Sequence, residues 1–572
     1  METNRKVRRK LKIRNLLKII GVFVIVGIIV YATIKYSGDI VIGKREIRYL
    51  ASSTATVQVY DSEGNEVESK LRGTKVYYQE DKTITKSEEL LHSIMIDNKE
   101  FFVKKEFLVE KKEDVVTEKT VYVRTPQNLY STMDSSATLL TLVQKGAALE
   151  VVGFDEITET GEVKSYKVKS SDAEGYIDRK YVTLDQESAL AHYDPDNYYT
   201  IHQNRGDRYG GGDAGALDYY PVDKPKFVDN VMPEKVYALY LNCGKNVISS
   251  VDEYISFAKE TKINAFVVDI KDNKTPAYSS PIMEKYSPTN AANAYNSMEN
   301  YKMAIQKIKD AGFYVIGRIT VFKDEYYAID HPEYAIRNSK TDGLFKHYET
   351  YWPSPYQRSV WEFNVNLAKE AVEEMGFNEI QFDYVRFPDR TYTLEQQGVM
   401  DFRNVYDEDK AQAIQRFLQY ATDELHKLNV YVSADVFGES AHNYVTAYGQ
   451  YWAAISNVVD VISAMPYPDH FNKYEYGFDV PVWTVPYDLL NYWANAYVAK
   501  RQSEVPTPAI VRTWIQTYDT IKEPYITYGA EEVSDQIEGL YDAGLTGGYM
   551  TWNSGSNLTK YKSQKDAYNK EY

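Results

Sequence analysis

Eight short apolar runs, spaced so that helical patterns fit between them, fill the sequence after residue 233. They are "KVYALYLN" (235–242), "INAFVVDI" (263–270), "FYVIGRITVF" (313–322), "NEIQFDYV" (378–385), "NVYVSADVF" (429–437), "VDVISAMPY" (459–467), "AIVRTWIQT" (509–517) and "GGYMTW" (547–552). Runs of this length, near-continuous in branched and aromatic residues, are what parallel strands buried on both faces require. Between them, 358–376 and 409–429 carry apolar residues at helical spacing. Alternation of this kind predicts an α/β fold, a (β/α)8 TIM-like barrel over 233–562. A doubly wound open sheet would need a Gly-rich phosphate turn after its first strand, and "NCGKN" at 242–246 lacks that pattern.

In such a barrel the site lies at the carboxyl ends of the strands, and alternate side chains point inward. In 429–437, Val430, Val432, Ala434 and Val436 suit the helix layer, leaving Tyr431, Ser433 and Asp435 for the interior. In 378–385, Ile380, Phe382 and Tyr384 form the apolar set, leaving Gln381 and Asp383 inside. Ala265, Val267 and Asp269 share a parity in 263–270. Three strands thus bring an aspartate to one end. Paired carboxyls are what glycoside hydrolysis needs: one protonates the leaving oxygen and the other attacks or activates water. Strands about 4.8 Å apart would set Asp383 and Asp435 within working distance. Arg318 and Arg386 are candidates to hold an acid ionised or to bind hydroxyls, and Tyr467, Trp514 and Trp552 to stack on sugars. The competing reading for any one aspartate is a helix cap or an ion pair with a nearby arginine.

The rest of the chain reads differently. Residues 1–18 carry a charge of +7, a basic tail, against −16 for all 572 residues, so the remainder is strongly acidic and unsuited to nucleic acid. Residues 19–36 hold an uncharged apolar run, "IIGVFVIVGIIVYATI". With Leu16, Leu17 and Lys18 it makes about 21 residues, roughly 31 Å of helix, enough to span a bilayer. The basic flank places a signal anchor there, with the tail cytoplasmic and the bulk extracellular; a cleaved signal peptide is the alternative. Residues 54–110 and 117–184 read as one β-rich unit written twice, each with an alternating strand, a Gly before a second strand and a terminal hairpin. Through "VRTPQNLYS", "KG" and "GYIDRKYV" the second resembles bacterial SH3-like domains, and the first does so more weakly. That likeness implies binding of cell-wall glycan; a spacer role is the other reading. Residues 185–232 turn polar and read as a linker or extended strap, and "RGD" at 205–207 is read as coincidence.

"GRITVFKD" (317–324), "GFNEIQFDYVRFP" (376–388), "ADVFG" (434–438), "ISAMPYPDHF" (462–471), "VRTWIQTY" (511–518) and "GGYMTWN" (547–553) resemble the bacterial glycosyl hydrolase domain family of unknown function. The resemblance covers about 233–560 and implies a barrel distantly similar to alpha-amylase-like and alpha-galactosidase-like hydrolases. It implies a catalytic aspartate at Asp383. The acid/base of those families sits on the fifth or sixth strand, which makes Asp435 the nearer match and Asp469 the rival. The sequence departs from the amylase-like pattern in having Asp rather than Glu in "ADVFG", and in lacking a His–Asp pair near the seventh strand.

The expected function is a membrane-anchored glycoside hydrolase acting on an envelope or extracellular polysaccharide, peptidoglycan included. Asp383 is expected as nucleophile or electrostatic stabiliser, Asp435 as general acid/base and Asp269 in support. The alternative is a non-catalytic wall-binding or assembly protein on a degenerate barrel. The eight histidines show no H-x-H or HExxH spacing, so neither a metal nor another cofactor is expected. With Cys243 as the sole cysteine, no intrachain disulfide can form.

Overall fold

The computed structural model describes residues 45–206 and 209–572, in two compact units that divide after Leu190. In the first unit two seven-stranded antiparallel sheets follow one another. Edge to edge, the first runs Glu66–Leu71, Thr56–Tyr60, Lys99–Lys104, Glu89–Ile96, Lys75–Lys86, Glu46–Leu50 and Leu108–Val109. The second runs Leu139–Val143, Gln127–Tyr130, Glu174–Asp178, Ser165–Lys169, Ala148–Phe154, Thr120–Val123 and Val182–Thr183. The sequence-order pattern is the same in both. Each closes on its own apolar core, Leu50, Val57, Val76 and Ile94 in one and Val121, Leu129, Leu149 and Val168 in the other. Arg72 of the first module joins them. Its buried guanidinium donates to Ser52 O, to Gly161 O and to Glu118 Oε1 at 2.8 Å.

The second unit is built on parallel strands labelled here β1 (Val236–Leu241), β2 (Ala265–Asp272), β3 (Tyr314–Thr320), β4 (Glu379–Asp383), β5 (Tyr431–Phe437), β6 (Val461–Met465), β7 (Ile510–Val511 and Thr513–Gln516) and β8 (Gly548–Trp552). Each pairs with the next, and β8 pairs with β1, so the ring closes as a TIM-like barrel. β7 serves both neighbours in two pieces: Ile510–Val511 pairs with β6 and Thr513–Gln516 with β8, on either side of Arg512. The seam between β8 and β1 depends on Gly548, at φ +108°, where a Cβ would lie 2.0 Å from Val236 O.

Helices separate the strands. Arg358–Met375 ends at Gly376, whose φ of 67° is the left-handed stop that glycine adopts without a Cβ clash. Lys410–His426 starts in a reciprocal cap, in which the Asp409 side chain takes the Gln412 N–H and Gln412 returns the bond to the Asp409 backbone. Phe382 turns outward against Phe417 of that helix, as its parity requires. Residues 191–233 are bound to the barrel as a strap. His202 is fully buried between Tyr451 OH (2.7 Å) and Glu504 O (3.0 Å). Arg205, first residue of the RGD tripeptide, forms a two-pronged ion pair with Glu504. Phe227 and Met232 pack on the apolar core inside the barrel, Phe227 against the Tyr431 ring and Met232 Sδ accepting from Arg512.

The expectation of a transmembrane anchor, and with it of a single-pass cell-membrane location, is corrected. No helix among the described residues is long and apolar enough to cross a membrane. Arg358–Met375 has 18 residues but carries Arg358, Glu362, Lys369, Glu370, Glu373 and Glu374, as an amphipathic barrel helix must. The expected segment 19–36 lies outside the described residues.

Candidate active site

The barrel interior is stacked in layers. At the amino end Arg512 pairs with Glu379 (2.8 Å), which also accepts from Tyr314 OH. Ala238, Val267, Ile316 and Met550 belong to the apolar cluster inside the barrel, where Gln381 donates to Ser463 Oγ and Met550 Sδ. The uppermost layer is ionic, and parity delivers it: Asp269 on β2, Arg318 on β3, Asp383 on β4 and Asp435 on β5 all point inward.

Arg318 holds this layer together. Nη1 donates to Asp269 Oδ1 at 2.7 Å, while Nη2 and Nε donate to Asp383 Oδ2 at 2.5 and 3.1 Å. Nε lies 3.8 Å from Asp435 Oδ2. Because Asp383 Oδ2 and Asp435 Oδ2 flank the same nitrogen, they are at most about 7 Å apart. Aromatic groups complete the shell. Tyr240 OH donates to Asp269 Oδ2 (2.6 Å), Trp514 Nε1 donates to Asp435 Oδ1 (2.8 Å), and the Trp552 ring lies 5.4 Å from the Arg318 guanidinium carbon.

The three carboxyls sit in unequal surroundings. Asp383 accepts the Arg318 bonds on one oxygen and the Tyr384 N–H on the other, and its side chain keeps 7 % exposure against 2 % for Asp269 and none for Asp435. Tyr384 takes φ +51°, an uncommon conformation for a bulky residue, at the point where β4 ends. Burial pushes the Asp269 carboxyl up to about 6 even with Arg318 opposing it. Burial first, and the Asp383 charge second, push Asp435 well above the usual carboxylate range. Asp435 Oδ2 has no hydrogen-bond partner among the described residues, its nearest cationic neighbour being Arg318 Nε at 3.8 Å.

Of the other sequence candidates, Arg386 and Asp469 find their partners elsewhere, while Tyr467, Trp514 and Trp552 pack beside the cluster. Arg386 lies among the Trp352, Tyr384 and Phe437 rings and donates to Phe387 O and to Asp389. Asp469 is fully buried after β6, accepting from Tyr518 OH (3.0 Å) and Ile521 N (3.3 Å). Tyr467 is buried with its ring 6.4 Å from Trp552. Trp514 is also buried and bound to Asp435, so its face is not open to a sugar; Trp552 stays half-buried.

One acid at the mouth escapes simple alternation. The β2–β3 register slips between Asp269 and Lys271. Lys271 is thereby turned into the helix layer, where it meets Asp324 at 2.8 Å, and Asp272 is turned to the mouth, where Thr320 Oγ1 donates to it at 2.7 Å. Glu439, just past β5, is the second addition. It is exposed and accepts from the Tyr444 and Tyr448 hydroxyls at 3.0 and 2.9 Å. It faces a cleft of about 1000 Å³ over the ends of β5 and β6 that also takes in Asp389, Met465 and Asp469.

A closed ring of parallel strands that gathers acids at its carboxyl ends puts them where barrel enzymes hold their sites. Residues 238–558, over half of the chain, match the family described as "Putative glycosyl hydrolase domain", and the chain belongs to that family. Among solved structures it is similar to a hypothetical protein from Ruminiclostridium thermocellum, at 33% identity over 35% of this chain and 97% of that one, with a TM-score of 0.29. It is also similar to the PgaB (BpsB) glycoside hydrolase domain from Bordetella bronchiseptica, at 12% identity over 60% of this chain and all of that one, TM-score 0.41. A third is the Bacillus megaterium spore cortex-lytic enzyme SleL, at 12% identity over 59% and 76% of the two chains, TM-score 0.35. No curated protein matches the sequence.

Proposed function

We infer that the chain hydrolyses glycosidic bonds of a polysaccharide through two carboxyl groups, Asp383 as nucleophile or electrostatic stabiliser and Asp435 as general acid/base. The observation that carries this reading is the difference between two neighbouring acids. Asp383 is the more exposed and is charge-compensated by Arg318. Asp435 is buried, has its carboxyl pushed upward, and has one oxygen without a partner. A buried carboxyl pushed above its usual range beside one bonded to an arginine is an arrangement that serves an acid and its counterpart. Their separation, at most about 7 Å, admits the 5–5.5 Å of a nucleophile pair. In the forward step Asp435 gives its proton to the leaving glycosidic oxygen as that bond breaks, while Asp383 meets the positive charge at the anomeric carbon. Asp435 then accepts a proton from the incoming water. Asp269 and Tyr240 hold Arg318 in place.

A second reading is favoured by one fact: the Asp435 side chain has no exposed surface. An arginine enclosed by three aspartates is also how a purely structural ion cluster is built, which would leave a glycan-binding barrel without turnover. Reducing-sugar release from a panel of purified polysaccharides separates the two. Turnover that Asp435→Asn abolishes supports the enzyme; glycan binding with no release by the wild type supports the binding protein.

A pH profile adds a sign. Asp435 must carry its proton to act as acid, so kcat/KM should fall on the alkaline side as that proton is lost. The falling limb should lie above the ordinary carboxylate range. An alkaline limb identical in wild type and Asp435→Glu would assign it to another group.

A further inference from the structure

The cleft beyond β5 and β6 is walled by rings that two local irregularities hold in place. Tyr476 sits at φ +58° inside a short helical turn, a conformation a tyrosine adopts only when its surroundings hold it there. Tyr497 lies in Ala494–Val498, a single π-helical turn of the kind that recurs at functional sites. The two rings are 5.3 Å apart, and His442 lies 4.3 Å from Tyr497. The imidazole is oriented by donation from Nδ1 to Glu439 O at 2.8 Å. All three rings line the cleft and are only half-buried, so ring surface stays open.

The geometry points to a carbohydrate subsite here, separate from the Arg318 cluster, for a glycan chain without acidic groups. It rests on the reading of the barrel as glycan-acting and names the chemistry of what extends from its mouth. Ring faces suit the C–H faces of pyranoses, and the Glu439 carboxylate beside them accepts from hydroxyl or ammonium donors. Among the acids of the cleft, Asp469 is fully buried and Asp389 is paired with Arg386, which leaves Glu439 and Glu475 as the open carboxylates, beside Arg390 and Lys522. Lys522 is in addition bonded to Phe471 O at 3.0 Å. An acidic sugar seated on these rings would bring its charge beside Glu439, which disfavours carboxylated or phosphorylated sugars against neutral and amino sugars.

Titration calorimetry on the full chain tests this, with Asp383→Asn as background so that binding is read without turnover. The probes are the N-acetylglucosamine hexamer, the glucosamine hexamer and the galacturonate hexamer. One of the first two should bind, the galacturonate hexamer most weakly. Tyr497→Ala should raise Kd about tenfold, and Tyr497→Phe, which keeps the ring and reports on folding, should stay within about twofold. Equal Kd in Tyr497→Ala and its parent, tightest binding of galacturonate, or binding of none of the three overturns the subsite. Ring-dependent binding without any glycan release by the wild type would sink the hydrolytic reading and leave the subsite standing.

Discussion

Asp383→Asn is expected to lower glycan turnover by at least about a thousandfold while leaving glycan affinity within about threefold. The substitution keeps shape and most hydrogen bonding, since an amide oxygen can still accept from Arg318. It removes the charge that would meet the anomeric carbon. The discriminating feature is the split between kcat and binding: a structural acid, once neutralised, would weaken both through loss of the fold. Single-turnover release and calorimetry on one preparation measure the two quantities. Turnover retained within about tenfold would remove Asp383 from the mechanism.

The second large effect is expected at Arg318→Met. Three carboxyls lean on this guanidinium, which is itself 1 % exposed, and methionine leaves them facing one another in a closed layer. Removing one partner of a buried ionic cluster costs about 3–5 kcal/mol. The loss should depend on pH with a defined sign. Asp269 already holds its proton more tightly folded than unfolded, with its carboxyl at about 6. Its contribution is therefore full below the unfolded value near pH 4 and is lost as pH rises through about 6. Without Arg318 that loss should deepen and extend to higher pH, so the variant should be closest to wild type in acid and furthest from it near neutrality. Denaturant unfolding at pH 4.5 and 7.5 checks this, and a pH-independent difference would show that the guanidinium is not what compensates the layer.

Much of this layer is legible in the sequence because a buried parallel strand is written as a continuous apolar run. All eight runs coincide with observed strands, and alternation correctly sends Asp269, Asp383 and Asp435 inward while Ile380 and Phe382 face the helices. Arg318 could be named from its run, but its place at the centre of three acids depends on which strands become neighbours. The extra residue in β2 marks where local reasoning stops. Whether Lys271 or Asp272 reaches the mouth is decided by the pairing with β3, so a strict two-residue period misplaces both. Loop residues were harder still. Arg386 and Asp469 lie in the expected blocks, yet their partners come from turns whose path alternation does not describe. The polar character of 191–233 likewise hides Phe227 and Met232, two apolar anchors among many polar neighbours.

Those anchors bear on where the glycan-acting unit begins. The family match starts at residue 238, past both of them. A fragment cut at that boundary would lose the ring that covers Tyr431 and the thioether that meets Arg512. A piece that keeps the whole strap, with the buried His202 and the Arg205–Glu504 pair as well as both anchors, starts at Ala191, 47 residues before the family match (238 − 191).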